Sequence, residues 1–310
     1  MPAMSNRPMI ILTEHLDEEA IEWIGSRVDL RRCAIDDPEF DSLLSEATGL
    51  LIRTYTIVDE QLLDRAPQLK VVGRAGVGLD NVDLKACAAR GIQVVNTPDA
   101  NTQAVVEYVT SIFTGHLRPK CGLIESVDSK TWSSLRDRQI APRQMSEMTL
   151  GILGFGRIGS RMAQVANAIG FTVIYNDLDD IPAESRHGAQ PVDLETLLES
   201  SDVLTIHVDG RPANHGFLDS ERIGRLASSV LLINTSRGFV IDQNALADFL
   251  KHHPDAHVVL DVHEPEPVPS SNPLLGLSNA VLYPHLASRT RAAQANMSWV
   301  VRDVAGVLGV

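Results

Sequence analysis

The 310 residues carry 27 Lys and Arg against 40 Asp and Glu, a formal charge of −13. That acidic balance argues against a general nucleic-acid binder, which needs a basic surplus to neutralise phosphates, but leaves room for one small anion held by a local donor cluster. With 44% hydrophobic and 22% charged residues the composition is that of a globular chain, and the length suits two domains.

Short β-rich runs alternate with helical patterns through the first third. Met9 to Leu12 reads as a strand, Asp17 to Ile24 as a helix, Leu50 to Ile52 as a strand and Asp59 to Arg65 as a helix. Val71 and Val72, then Ile92 to Val95, read as strands on either side of a helix from Leu84 to Ala89. Such alternation implies a parallel sheet, because parallel crossovers need a helix-length connection. Thr102 to Leu117 has the apolar spacing of a long helix, with Ala104, Val105, Tyr108, Ile112 and Phe113 on one stripe. Glu125 to Glu147 is polar and predicts helix fragments and loop.

A second sheet is predicted from Thr149 to Leu153, Thr172 to Tyr175, Val203 to Ile206, Val230 to Ile233, Val258 to Leu260 and Val281 to Tyr283. Helical patterns at Arg157 to Ile169, Leu194 to Glu199 and Gln243 to His252 fill most gaps. The expected fold is therefore α/β, with doubly wound parallel sheets. Arg289 to Val310 is expected to be one terminal helix docking through Ala293, Met297, Val300, Val301 and Val304.

Cys33, Cys87 and Cys121 are odd in number and not closely spaced, suggesting neither a disulfide framework nor a zinc site. No metal is expected. The opening apolar run meets acidic Glu14, Asp17, Glu18 and Glu19 too soon for a signal peptide, and no segment reaches the roughly 18 apolar residues of a membrane span. A soluble cytoplasmic protein, with no membrane partner, is the expectation.

Gly154-x-Gly156-x-x-Gly159 follows an apolar strand and opens a helix, the context in which this spacing binds a dinucleotide. Gly154 permits the tight turn, Gly156 admits the pyrophosphate and Gly159 lets helix and strand approach. The helix N-terminus adds unpaired N–H groups and a positive dipole end, with Arg157 and Ile158 in its first turn. Asp177 stands at the end of the next strand, where a carboxylate accepts from ribose hydroxyls and repels a 2′-phosphate. NAD is expected over NADP.

Three polar motifs end later strands: Asn234-Thr235-Ser236-Arg237-Gly238, Asp261-Val262-His263-Glu264-Pro265-Glu266-Pro267 and Pro284-His285-Leu286-Ala287-Ser288. Ligands of open α/β sheets sit outside such ends. Arg237 can grip a carboxylate or polarise a carbonyl, His285 can exchange a proton with an alcohol, and Glu266 can orient the imidazole. Taken singly, Arg237 could equally pair at the surface, His285 be a structural imidazole, Glu266 be solvated and Asp261 cap its loop. His263 is another possible base.

These motifs, together with GRAGVGLDNVD from Gly73 to Asp83 and NTPDANTQAVVE from Asn96 to Glu107, resemble the D-isomer-specific 2-hydroxyacid dehydrogenases, including phosphoglycerate dehydrogenases and glyoxylate/hydroxypyruvate reductases. The resemblance runs from about Leu50 to Ser288. It implies a flavodoxin-like substrate domain and a Rossmann NAD-binding domain with a cleft between them. Residues 1–98 would form the first segment of the substrate domain, 99–286 the NAD-binding domain, and 287–310 a helix returning to the substrate domain. It assigns acid/base work to His285, its partner to Glu266 and substrate binding to Arg237, with the carboxylate on the backbone of Val77 and Gly78 and Arg53 facing the same cleft. Thr102, Gly154, Gly156, Arg157, Ile158, Gly159, Asp177, Thr235, Asp261 and Ala287 become cofactor-side positions. A small 2-hydroxy or 2-oxo acid is the implied substrate, and a homodimer through the NAD-binding domain the implied assembly.

Several residues depart from the family pattern. Asp209-Gly210-Arg211-Pro212 replaces a more usual apolar-proline-leucine-threonine run, His263 stands where phenylalanine is usual, and Ala287 where glycine is usual. Compared with the long phosphoglycerate dehydrogenases, no regulatory domain is expected after the closing helix. Two other readings stay open: an NAD-binding sensor or corepressor on the same scaffold, and a formate-dehydrogenase-like enzyme, against which Glu266 argues.

Overall fold

The computed structural model describes residues 7–310; the first six residues of the opening run, over which no signal peptide was expected, lie outside them. The chain divides into two compact units, one built from residues up to Gln103 plus Ser288–Val310, the other from Ala104–Ala287.

The first unit contains β1 (Met9–Leu12), α1 (Glu18–Gly25), β2 (Asp29–Arg32), α2 (Phe40–Glu46), β3 (Gly49–Ile52), α3 (Glu60–Asp64), β4 (Val71–Arg74), α4 (Leu84–Ala89) and β5 (Gln93–Asn96). The strands pair in parallel in the order β2-β1-β3-β4-β5. This is the flavodoxin-like 2-1-3-4-5 order, in which the winding direction changes between β1 and β3. Aspartates cap three of its helices: Asp17, Asp59 and Asp83 each accept a first-turn N–H. Two elements of this unit, β2 and α2, escape sequence reading. β2 is Asp-Leu-Arg-Arg, an edge strand with no apolar run, and its charges suit an edge that must resist further pairing.

The terminal segment forms two helices rather than one, α11 (Arg291–Ser298) and α12 (Val301–Leu308). Ser298 sits at the joint: its hydroxyl donates to the Gln294 carbonyl at 2.9 Å and accepts from the Asp17 N–H at 2.9 Å. Serine back-bonding of this kind bends helices. Tight i to i+3 bonds from Trp299 and Val300 complete the break. The predicted docking residues are nonetheless buried, and Val304 lies where a Cβ on Gly73 would meet its Cγ2 at 2.4 Å, so glycine in β4 lets α12 settle on the sheet.

In the second unit α5 (Thr102–Leu117, whose first two residues fall in the first unit) and α6 (Ser129–Arg138) precede β6 (Thr149–Leu153), α7 (Arg157–Ile169), β7 (Thr172–Asn176), β8 (Gln190–Pro191), α8 (Leu194–Ser200) and β9 (Val203–Ile206). Then come α9 (Ser220–Ile223), β10 (Leu231–Asn234), α10 (Gln243–His252), β11 (His257–Leu260) and β12 (Ala280–Leu282). Their order is β12-β11-β10-β9-β6-β7-β8, all parallel. Counted from β6, this is the Rossmann order with one added strand, and its switch point lies between β6 and β9. Two apolar layers cover its faces, one around Leu204, Leu232 and Val258, the other around Val109, Phe113 and Met162.

In the first unit Glu14, just after β1, accepts the backbone N–H groups of Arg53, Thr54, Tyr55 and Thr56 at 2.8–3.1 Å. Burial pushes its carboxyl up, but the four donors outweigh this and hold it below the usual range. A carboxylate with a lowered folded value stabilises above its unfolded value and loses that contribution as pH falls through the folded one. Glu14→Gln should therefore lower stability at pH 7 by about 1–2 kcal/mol after solvent screening, with the gap narrowing between about pH 5 and 3, read by urea unfolding at each pH.

Candidate functional site

The nucleotide end begins at the switch point of the second sheet. Gly154, directly after β6, has φ +91°, and a Cβ there would lie 2.8 Å from the backbone of His207 and Val208 leaving β9. Gly159 is equally constrained, since its Cβ would meet the Gly154 carbonyl oxygen. Gly156 faces open space and caps α7 with no side chain in front of the helix N-terminus. Two glycines therefore close the turn and the third leaves its approach clear, which fits a dinucleotide pyrophosphate.

Asp177 follows β7. One carboxylate oxygen accepts from the Phe155 N–H inside the glycine turn and the other from the Asp179 N–H at 2.9 Å. The Asp209–Arg211 departure flanks the same turn, directly after the His207–Val208 backbone that Gly154 touches. Its charges close on each other, Arg211 Nε and Nη2 donating to Asp209 at 2.7 and 2.6 Å. Sequence reasoning passed over His207, which binds Thr205 Oγ1 through Nε2 at 2.9 Å. Burial pushes its imidazole down to about 3, so it stays neutral beside the glycine turn.

At the far strand ends the three chemical residues are drawn together through the backbone. Asn234, at the end of β10, donates from its amide to the Arg237 carbonyl at 2.9 Å and accepts the Ser236 N–H at 2.9 Å, setting the loop that carries Arg237. Gly238 then lies against the backbone of His263, where a Cβ would stand 2.0 Å from its carbonyl carbon. The His263 N–H donates to Glu266 Oε1 at 2.9 Å, and Glu266 Oε2 meets His285 Nδ1 at 2.9 Å. Burial raises the Glu266 carboxyl, but His285 and the His263 N–H outweigh it and leave the group below its usual range, a carboxylate at neutral pH. Nδ1 is thereby the donating nitrogen of neutral His285, and Nε2 carries the lone pair that can take a proton.

His285 has φ +56°, the left-handed region that a β-carbon disfavours. Asp261, fully buried at the end of β11, holds that turn by accepting the Leu286 and Ala287 N–H groups at 2.7 and 2.8 Å. A third donor is the Tyr108 hydroxyl of α5 at 3.0 Å, a residue whose role the apolar stripe concealed. The positive φ belongs to position 285 and not 287, which explains how Ala287 replaces the usual glycine. His263 is a second hidden contributor: its Nε2 binds the Tyr283 carbonyl at 2.8 Å, and that carbonyl also accepts the His285 N–H at 3.0 Å.

The remaining predicted positions are placed as follows. Thr235 and Thr102 each bury a hydroxyl oxygen with no protein partner, polar atoms of the kind a bound group would satisfy. Arg157 and Ile158 open α7. Val77 and Gly78 follow β4, where Asn96 Nδ2 holds the Val77 carbonyl at 2.7 Å. Arg53 donates to Gln294 Oε1 of α11.

Gly238→Ala should force the Arg237 loop and the His263 backbone apart. The expected result is a loss of about 1–3 kcal/mol of stability, checked by thermal unfolding.

Residues 111–287 match the model of the D-isomer specific 2-hydroxyacid dehydrogenase, NAD binding domain. The chain is 32% identical to D-3-phosphoglycerate dehydrogenase of Archaeoglobus fulgidus over 95% of its own length and 56% of the relative's. It thus spans about half the length of the phosphoglycerate dehydrogenases it matches. Glyoxylate reductase of Aeropyrum pernix is 32% identical, with 96% of this chain and 91% of that one covered. The crystal structure of D-lactate dehydrogenase from Aquifex aeolicus, complexed with NAD and lactic acid, superposes with a TM-score of 0.81 at 26% identity, covering 97% of this chain and 96% of that one. The sheet orders, the glycine turn, the Glu266–His285 pair and these likenesses agree: the chain belongs to the D-isomer-specific 2-hydroxyacid dehydrogenase family.

Proposed function

We propose that this protein interconverts a D-2-hydroxy acid and its 2-oxo acid with NAD, by hydride transfer. The Glu266–His285 hydrogen bond, set beside the Arg237 loop, carries the reading. Gly154, Gly156, Gly159 and the N-terminus of α7 hold the pyrophosphate, and Asp177 receives the ribose hydroxyls, which favours NAD over its 2′-phosphorylated form. Thr102, Thr235, Asp261 and Ala287 lie along the nicotinamide side. When bound, the nicotinamide supplies or accepts the hydride.

Arg237 presents its planar fork to the substrate carboxylate and carbonyl. In oxidation His285 takes the alcohol proton on Nε2; in reduction it returns that proton to the forming alkoxide. Glu266 keeps Nδ1 directed away from substrate and balances the imidazolium. A dinucleotide sensor would need no such proton relay, and formate oxidation releases no alcohol proton for a His–Glu pair to receive. Both readings are therefore less favoured than the dehydrogenase.

His285→Ala should reduce turnover of 2-oxo acids by about 100-fold or more while leaving NADH affinity within about twofold, measured by steady-state rates and fluorescence titration. Turnover near the wild-type value would remove His285 from proton transfer.

We further propose a homodimer formed through the second unit. α6 buries none of its residues, and Trp132, Leu123, Ile124 and Ile140 leave apolar surface exposed around it. A ten-residue helix with no tertiary cover is marginal in water, so a second copy of the chain is the occupant that explains it. Sedimentation should give a dimer that Trp132→Glu shifts toward monomer; an unchanged monomer would reject the interface. No helix among the described residues is long and apolar enough to cross a membrane. Three free thiols support a reducing, cytoplasmic setting.

A further inference from the structure

We propose that the His263 side chain is a positioning residue of the reaction: its Nε2–H, by gripping the Tyr283 carbonyl, fixes the turn that sets the direction of the His285 imidazole. The inference rests on the dehydrogenase reading above. It adds to the Glu266–His285 pair a third group, one that acts on the backbone beneath the imidazole.

The turn lies wholly within the second unit. Just after β12, both backbone groups of Tyr283 are taken by the end of β11 and the residues that follow it. The Tyr283 N–H donates to the Leu260 carbonyl at 2.8 Å, and the Tyr283 carbonyl accepts His263 Nε2–H at 2.8 Å. That carbonyl also accepts the His285 N–H at 3.0 Å, closing a three-residue turn about Pro284, whose ring-fixed φ suits such a turn at a strand end. His285 follows with φ +56°, and beyond it the Leu286 and Ala287 N–H groups are held by Asp261. The backbone of His285 is pinned on both sides, and the His263 ring is the pin on the acceptor of its turn.

His263 is itself immobilised, and its contacts separate into two kinds. Its backbone abuts Gly238, and its N–H donates to Glu266 Oε1 at 2.9 Å. Any residue at this position offers those two. The imidazole adds something else. The residue is only 5% exposed, and Nδ1 is buried with no hydrogen-bond partner among the described residues. A carbonyl can only accept, so Nε2 carries a proton. Burying a ring with one nitrogen unmet costs more than burying an apolar ring of the same shape, such as the phenylalanine usual here. Among the described residues the ring makes one hydrogen bond, so its polarity acts at the Tyr283 carbonyl.

The consequence falls on proton transfer. A residue with a β-carbon leaves the left-handed region when its restraints weaken. That change would carry the imidazole away from Glu266 and displace the Nε2 lone pair. The nucleotide turn at Gly154 is held by other contacts, so cofactor binding is spared and the loss appears in kcat.

Three substitutions separate the bond from the volume. His263→Phe keeps a ring without a donor, whereas His263→Met and His263→Gln place side chains of similar length, of which only glutamine offers an N–H. Reduction of glyoxylate, hydroxypyruvate and pyruvate is followed through NADH oxidation. His263→Phe and His263→Met should lower kcat by about tenfold or more with NADH affinity within about threefold, and His263→Gln should keep kcat within about threefold of wild type. Amide hydrogen exchange gives a readout independent of turnover: the N–H groups of His285, Leu286 and Ala287 should exchange about tenfold faster in His263→Phe and His263→Met, and close to the wild-type rate in His263→Gln. The proposal is overturned by kcat within about twofold of wild type in both donor-free variants, by an equal fall in all three, or by unchanged exchange at the three amides. A wild-type protein that binds NADH by fluorescence titration yet reduces none of the three acids overturns the dehydrogenase reading instead, and the exchange rates then decide the positioning by themselves.

Discussion

The carboxylate of Asp261 organises the reactive end of the second unit. It has no solvent exposure, and it gathers donors from two distant places: the Tyr108 hydroxyl on α5 and the consecutive N–H groups of Leu286 and Ala287. Burial raises the Asp261 carboxyl, and these three hydrogen bonds offset part of the rise. Tyr108 in turn is driven upward by burial and by the same carboxylate, so its hydroxyl remains a donor. A charge removed from water is tolerated only when its lone pairs are met. Meeting them here fixes the turn in which His285 adopts a left-handed backbone.

The rest of that end is a matter of how closely backbones approach. Gly238 admits the His263 backbone, and Gly154 admits the strand leaving β9. Neither contact would survive a Cβ without displacement. His263 then acts twice, through its N–H on Glu266 and through its ring on the carbonyl that restrains His285. The imidazole is therefore oriented by a carboxylate that is itself oriented, an arrangement that suits the proton transfer proposed for it.

In the first unit the logic is electrostatic. Glu14 accepts four backbone N–H groups of the 53–56 segment, so in a protein of net charge −13 this carboxylate is held by backbone donors, not by a cationic side chain. Net charge and site charge are separate quantities, and screening over roughly 8–10 Å of salt solution keeps them so.

Most strands and the longer helices were legible in the chain because burial imposes a period of two or 3.6 on apolar residues, and β6, β9 and α7 show it plainly, whereas α2, β8 and α9 are too short to do so. The glycine spacing and the polar strand ends were equally local, which is why the Gly154 turn, Asp177, Arg237, Glu266 and His285 could be named before any fold was known. The charged edge strand β2 and the break at Ser298 were not, since neither leaves a periodic trace. What the amino-acid order determined by itself was the succession of elements and the chemistry available at their ends. The tertiary structure decided which of those ends meet: that Asp261 serves the 286–287 amides, that His263 restrains His285, and that Gln294 ties Arg53 to α11. Most of these bonds join residues far apart in the chain, and no local pattern specifies a partner that only the gathering of distant segments brings within hydrogen-bonding distance.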